Sequence, residues 1–332
     1  MTVTESGIVM AYSIGIDLGG TNIVAGIIDD TYKIVDRERA KTRAPRPAEF
    51  LVDTMAQCID TLLMRQGISV STIRSIGIGI PGVVDLETGM LLHATNLFLK
   101  NVDFPALMKI RFPDIPVFIA NDADCAVFGE YHAGAAHNYQ SVLMLTLGTG
   151  VGGGFIYDNK IFRGGTGFGI EPGHMAVEAG GHIACNCGQW DCLETYVSIR
   201  GLKRMTEEAL LRNEETILRH YVSLGESSFN TRLIFEAATA GDKVAIAIVE
   251  RFVHYLALGI RNLVVLYRPH MILLGGGISH AGDVLLEPLR TRVALTTVSG
   301  DVLPPPPIEL SRLGNDAGVI GAAMLYSEGQ SL

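Results

Sequence analysis

Short apolar runs bounded by glycine, proline or aspartate alternate along this chain with longer stretches whose apolar residues recur at helical spacing. Tyr12 to Ile16 reads as a strand, Leu18-Gly-Gly-Thr-Asn22 as a turn and Ile23 to Ile28 as the returning strand; a third strand around Lys33 to Lys41 completes a meander. Arg43-Ala-Pro-Arg-Pro47 breaks the pattern, and Phe50 to Arg65 then predicts a helix ended by Gly67. Ile73 to Ile80, stopped by Pro81-Gly82, fits a buried strand whose end faces a cleft. A short helix is expected over Phe104 to Arg111, with Pro105 in its first turn and Pro113 beyond its end. Val117 to Ala120 is another buried strand, which delivers Asn121 and Asp122 at its carboxyl end, where open parallel sheets hold ligands. Ala123 to Ala133 reads as a helix with Asp122 as its cap, so capping accounts for Asn121-Asp122 as well as chemistry does. Farther on, Ile199 to Thr216, Thr231 to Ala240 and Lys243 to Val265 read as helices and Met271 to Leu274 and Ile308 to Leu310 as strands. Asp301-Val-Leu-Pro-Pro-Pro-Pro307 is a stiff connection, and Asp316 to Tyr326 a helix of small residues.

One pattern occurs twice. Leu18-Gly-Gly-Thr-Asn-Ile-Val-Ala-Gly-Ile-Ile-Asp29 and Leu147-Gly-Thr-Gly-Val-Gly-Gly-Gly-Phe-Ile-Tyr-Asp158 both follow an apolar strand and both run turn, strand, Asp. The repeat predicts two domains built on one kind of hairpin, each aiming a turn of backbone N–H groups at a common cleft. Glycine lets such amides converge on an anion without a side chain in the way. Glycines that merely make hairpin turns would explain either segment alone but explain the pair poorly. Gly148-x-Gly150-x-x-Gly153 also matches the dinucleotide fingerprint, but that motif needs a following helix, and Gly154-Phe-Ile-Tyr157 before Asp158-Asn159 predicts a strand. The chain also lacks a Gly-x-x-x-x-Gly-Lys-Ser/Thr run, so P-loop chemistry is excluded.

Composition narrows the partners. At 332 residues, with 48% hydrophobic and 18% charged, the chain has the length of about two ordinary globular domains. A formal net charge of -9 argues against nucleic acid, whose phosphates demand clustered Lys and Arg. No apolar run reaches a membrane span, and Met1 to Met10 carries Glu5, no basic residue and no signal-length apolar core. A cytoplasmic protein acting on small molecules is expected. Of five cysteines, Cys58 and Cys125 stand alone in apolar surroundings as buried thiols, whereas Cys185, Cys187 and Cys192 fall within eight positions, which is ligand spacing. With His174 they form a tetrahedral set of the kind structural zinc uses, leaving no open position for water. His182 is the rival ligand because it lies nearer Cys185. His174 is preferred because Glu171-Pro-Gly-His174 sets it on a cleft-facing turn.

These motifs together resemble one family. Asp17-Leu-Gly-Gly-Thr21, Gly79-Ile-Pro-Gly82, Asn121-Asp122, Thr146-Leu-Gly-Thr-Gly-Val-Gly-Gly-Gly154, Glu171-Pro-Gly-His174 and Cys185-x-Cys187-x-x-x-x-Cys192-Leu-Glu194 are similar, in order and over almost the whole chain, to those of the ROK family and its bacterial glucokinases. The resemblance implies an α/β, actin-like, ribonuclease-H-like fold with two domains closing over ATP and a sugar. The domain division expected is 1-120 plus 315-332 against 121-314, with the last helix packed back on the N-terminal domain. By the resemblance, Asp122 corresponds to the catalytic base and Gly82, Asn121, Glu171, His174 and Glu194 to the sugar-binding set. Gly19, Gly20 and Thr21 fall on the first phosphate turn, Thr149 and Gly150 on the second, Gly275, Gly276 and Gly277 near the adenosine, and Asp17 at the magnesium. The implied reaction is ATP-dependent phosphorylation of a hexose, glucose first, by a homodimer or dimer of dimers.

The residues suit that chemistry. A sugar hydroxyl is a poor nucleophile, so a carboxylate must take its proton as the oxygen attacks phosphorus; alignment and charge neutralisation do the rest. If a metal takes one ring nitrogen of His174, the other can face the sugar. The chain departs from the glucokinases at Asn96-Leu97-Phe98, where many continue with Pro-Gly-Trp, and at Asn22, where lysine is frequent. Trp190, the single tryptophan, lies in the cysteine loop instead. These departures bring N-acetylmannosamine, allose and other hexoses into contention as substrates. ROK repressors bind sugars on the same fold, but they need a DNA-binding domain, for which no room is expected before Gly19. A zinc-ribbon interaction module would explain the cysteines and leave both hairpins unexplained.

Overall fold

The computed structural model describes residues 11–85, 87–137, 139–212, 215–222, 230–296 and 302–328. By their contacts the residues form two units: Met1–Val142, Gly154–Ile170 and Arg312–Leu332 in the first, Leu143–Gly153 and Glu171–Ser311 in the second.

The first unit is built on a five-stranded sheet of β1 (Tyr12–Leu18), β2 (Asn22–Ile28), β3 (Ile34–Lys41), β4 (Ile73–Ile80) and β8 (Val117–Asn121), ordered β3-β2-β1-β4-β8. The hairpin strands pair antiparallel, and β1, β4 and β8 run parallel. Continuous apolar runs in β1 and β4 reflect burial on both faces, whereas β3 alternates half-buried with exposed charged residues as an edge strand should. Helix α1 (Ala48–Gln66) lays Leu51, Val52, Met55, Ile59 and Leu62 against β2 and β3, and Gly67 ends it in the left-handed conformation. Helix α2 (Phe104–Arg111) packs on α1 and β8, capped by the Asp103 carboxylate.

Helices α3 (Asp122–Ala133) and α10 (Ala317–Met324) pack against each other, and α10 lies directly on β1 and β4. Only glycine permits this approach. A Cβ on Gly77 would lie 1.7 Å from the Ala322 carbonyl oxygen, and one on Gly15 1.8 Å from that of Val319. Glu130 of α3 ties the segment before α10 by accepting the Leu313 amide at 2.6 Å.

The chain between β4 and β8 forms a separate small sheet of β5 (Val83–Asp85), β6 (Met90–Ala94) and β7 (Leu99–Val102). The apolar pattern did not predict it: its strands are three to five residues long, too short for alternation to register.

The second five-stranded sheet contains β9 (Ser141–Leu147), β10 (Val151–Tyr157), β11 (Lys160–Ile161), β12 (Met271–Gly275) and β13 (Ile308–Leu310), ordered β11-β10-β9-β12-β13. Numbered from its own first strand, each sheet has the order 3-2-1-4-5, which bears out the repeat read from the two glycine-rich hairpins. The strand β10 continues through Gly154 where a dinucleotide site would have turned into a helix. The helices of the second unit are α4 (Leu193–Val197), α5 (Ile199–Leu211), α6 (Leu218–Val222), α7 (Thr231–Thr239), the long α8 (Lys243–Tyr267) and α9 (Asp283–Thr296). Helix α5 stops at Leu211, short of the expected Thr216. Helix α9, with Pro288 inside it, escaped the sequence reading because its apolar positions are broken by polar and charged ones. Asp301 lies outside the described residues, and the prolines 304–307 lead into β13. Among the described residues, no helix is long and apolar enough to cross a membrane.

Candidate active site

The residues singled out from the sequence fall into two groups, one in each unit. In the first, β4 and β8 end side by side, with Ile80 paired to Asn121. Gly82 follows with φ at 139°, and a Cβ there would lie 2.3 Å from the His93 carbonyl oxygen, so no other residue fits. Asn121 joins the strand ends. Its Nδ2 donates to the Gly82 carbonyl at 2.9 Å, and its Oδ1 accepts the Ala123 amide at 2.8 Å.

Asn121 is therefore the cap of α3, and Asp122, expected as the cap, is the first helical residue. Either side chain can reach the Ala123 amide, and Asp122 Oδ1 also accepts it at 2.9 Å. Among the described residues Asp122 has no cationic partner. Burial pushes its carboxyl above the usual carboxylate range. Asp17, at the end of β1, is pushed up to about 6, first by burial and then by the Asp122 charge. Two neighbouring half-buried carboxylates are a fitting seat for a divalent metal ion.

The first glycine turn follows Asp17. Gly19 N–H donates to the Asn22 carbonyl at 2.9 Å, and Thr42 braces the turn by donating its hydroxyl to the Gly19 carbonyl at 2.6 Å and its amide to that of Thr21 at 3.0 Å. Lys41, opposite Asn22 across the β2–β3 pair, donates from Nζ to Asn22 Oδ1 at 3.0 Å. The sequence reading noted a missing lysine at position 22 and overlooked that the neighbouring strand brings one to the turn. The hairpin register was the signal that could have found it.

In the second unit the Gly148–Gly150 turn joins β9 to β10. Gly148 N–H donates to the Gly150 carbonyl at 3.0 Å, and the Gly148 carbonyl accepts the Ile199 amide at 2.8 Å, which fastens the start of α5 to the turn. Glu194 docks on the same turn, its Oε2 accepting the Val151 amide at 2.9 Å and its Oε1 a bond from Arg200 at 2.5 Å. The Gly275–Gly277 segment closes on β9: Gly276 has φ at 82°, and a Cβ there would lie 2.4 Å from the Leu147 carbonyl oxygen. Thr149 is exposed at the tip.

Glu171-Pro-Gly-His174 is a tight turn against β10, with the His174 amide donating to the Glu171 carbonyl at 3.0 Å and no room for a Cβ on Gly173, 2.0 Å from the Val151 carbonyl oxygen. His174, Cys185, Cys187 and Cys192 gather there, their donor atoms all within 4.8 Å of one another. Cys185 Sγ lies 3.7 Å from His174 Nδ1, and Cys187 Sγ lies 3.7 Å from Cys192 Sγ. The sulfur–sulfur separation is that of two thiolates on one tetrahedral metal, since metal–sulfur bonds of about 2.3 Å put two sulfurs about 3.7 Å apart. Nδ1 faces the cluster, which leaves Nε2 for another partner. His182 stands outside, its exposed ring turned to Asp191 with Nδ1 3.6 Å from Oδ2.

The cluster is braced from behind by Asp191, buried and in the left-handed region with φ at 53°. Its carboxylate accepts the amides of His182 and Ile183 and the Tyr196 hydroxyl, each at 2.9 Å, and these three bonds hold its pKa below the usual range against the opposing effect of burial. Sequence reasoning missed this brace because aspartate beside a cysteine is unremarkable until the loop is folded.

Comparison with known proteins adds three findings. The family model described as ROK family matches residues 13–328. A glucokinase of Halalkalibacterium halodurans is 34% identical over 95% of this chain and 94% of its own length, and an N-acetyl-D-glucosamine kinase of Pectobacterium atrosepticum is 32% identical over 94% and 98%. The crystal structure of a ROK family glucokinase from Streptomyces griseus in complex with glucose and AMPPNP superposes with a TM-score of 0.79 at 32% identity, covering 95% of this chain and 99% of that one.

Proposed function

Because the chain belongs to the ROK family, we propose that it is a hexose kinase that moves the terminal phosphoryl group of ATP to glucose, giving glucose 6-phosphate. Its fold is the α/β, actin-like ATPase fold, and relatives 31% to 34% identical to it include glucokinases and N-acetyl-D-glucosamine kinases.

The observation that carries the catalytic assignment is Asp122: a carboxylate at the end of a parallel strand, raised in pKa by burial, beside a second carboxylate and without a cation among the described residues. A general base needs such a group, since a more basic carboxylate takes a hydroxyl proton more readily. In this reading Asp122 accepts the proton of the sugar hydroxyl as its oxygen attacks the terminal phosphorus. Asn121, with both ends of its amide engaged, holds the Gly82 backbone and the helix start in register, so that Gly82 and Asn121 can meet the sugar. Glu171, His174 and Glu194 engage other hydroxyls, His174 through Nε2. The Gly19–Thr21 turn and Thr149-Gly150 receive the phosphates, and Gly275–Gly277 borders the adenosine. Magnesium, seated by Asp17, supplies charge neutralisation at the phosphates.

We assign zinc to His174, Cys185, Cys187 and Cys192; four protein ligands leave no position for water, so its work is to hold the loop and fix the His174 ring. Three thiolates need a reducing compartment, and we propose the cytoplasm. A homodimer or dimer of dimers is proposed from the family, and sedimentation tests it. N-acetylated hexosamine is the second substrate reading, favoured by the relative from Pectobacterium.

Coupled ADP release across a panel of hexoses tests the activity. Turnover highest with glucose supports the proposal, turnover highest with an N-acetylhexosamine selects the second reading, and binding without turnover makes the chain a sensor. Asp122→Asn should keep sugar binding and lose turnover by roughly two to four orders of magnitude; near-normal turnover removes Asp122 from its role.

A further inference from the structure

The second glycine turn carries a carboxylate of its own. Glu194 is almost fully buried, with 9% of its surface exposed, and Oε2 lies only 2.3 Å from where a Gly150 Cβ would be. The turn is shaped around this oxygen. A negative charge docked on a turn that is to receive phosphate is unfavourable unless something compensates it. Arg200 does so, donating from Nη2 to Oε1 at 2.5 Å. Its neighbour Ile199 fastens α5 to the Gly148 carbonyl, so the guanidinium and the turn are held by one short stretch of chain. The Val151 amide on one oxygen and the guanidinium on the other leave each oxygen with accepting capacity, since a carboxylate offers about four lone-pair sites.

We propose that Arg200 is a positioning residue for sugar binding. By pairing with Glu194 it holds that carboxylate in one rotamer against the turn, so that its open lone pairs meet sugar hydroxyls. The inference rests on the reading of Glu194 as a sugar ligand. The single Nη2 bond comes from a rigid planar group, which an ammonium on a flexible stem reproduces with a looser geometry, so lysine substitutes only in part.

Steady-state kinetics of the full chain test it, with glucose varied at saturating ATP and then the reverse. Arg200→Ala should raise the glucose KM about tenfold, the effect of losing one charge-assisted hydrogen bond that orients a ligand group, with kcat and the ATP KM within about twofold. Arg200→Lys should fall between. In a Glu194→Gln background the Arg200→Ala change should add little. An unchanged glucose KM in Arg200→Ala, or a loss that falls on the ATP KM instead, overturns the proposal. If Glu194→Gln itself leaves the glucose KM unaltered, it is the sugar-ligand reading of Glu194 that fails, and the pair is structural. Should Arg200→Ala not fold, Arg200→Gln carries the same test, with thermal unfolding of each variant measured alongside.

Discussion

Two titratable residues, one buried and one half-buried, pull stability in opposite directions with pH. His132 has both ring nitrogens without a hydrogen-bond partner among the described residues and is packed against the rings of Tyr32, Phe128 and Tyr131. Burial, aided by His137, lowers its pKa from 6.5 to about 4. A pKa lower in the folded than in the unfolded state means that protons favour unfolding. The fold should therefore lose on the order of 3 kcal/mol from this residue as pH falls from about 6.5 to about 4. Urea unfolding of the parent and His132→Phe at both ends of that window measures it, and the variant should lose less. Asp17 has the reverse sign: raised to about 6, it favours folding while protonated and costs on the order of 2 to 3 kcal/mol once ionised. Asp17→Asn should be more stable than the parent at pH 7.5 in the absence of magnesium, while its turnover falls and needs more magnesium to saturate; equal stability would mean the carboxylate is already compensated. Asp122 and Asn121 were legible from their position at a strand end. Which of the two caps the helix was not, because both are Asx residues within reach of one amide and only the folded backbone decides.

Among the elements, the paired hairpins were readable because glycine-rich turns and returning apolar strands punctuate the sequence twice. Strands β5 to β7 left no such mark, and Pro288 with its polar neighbours disguised α9. The cysteine loop was legible as a gathering of His174, Cys185, Cys187 and Cys192 but not in its scaffold. Bridges pair Ala176 with Cys192 and Ala184 with Trp190, and Asp191 ties the loop to Tyr196. Removing one ligand should therefore release the metal and leave the loop partly framed. Cys187→Ser is expected to lose stoichiometric zinc by atomic absorption and to raise the glucose KM more than it lowers kcat. Retained zinc with normal kinetics would sink the assignment.

At the scale of the molecule, the same strand order occurs in both sheets, and it explains why the repeat was visible in sequence: each copy needs a tight glycine turn at the same topological point. Packing density could not be read in this way. Gly77 and Gly15 looked like ordinary strand residues, yet α10 lies so near them that a methyl group on Gly77 would overlap the backbone of Ala322. Gly77→Ala should destabilise by at least about 2 kcal/mol, whereas Gly165→Ala, with nothing within 4 Å of the added atom, should be near neutral in the same urea titration. The contact of α10 with β1 and β4 also orders events during synthesis. The opening strands leave the ribosome long before the helix that covers them has been translated, so they must wait uncovered. A message cut short upstream of that helix yields a polypeptide with a bare greasy flank, the kind of surface that chaperones and proteases bind.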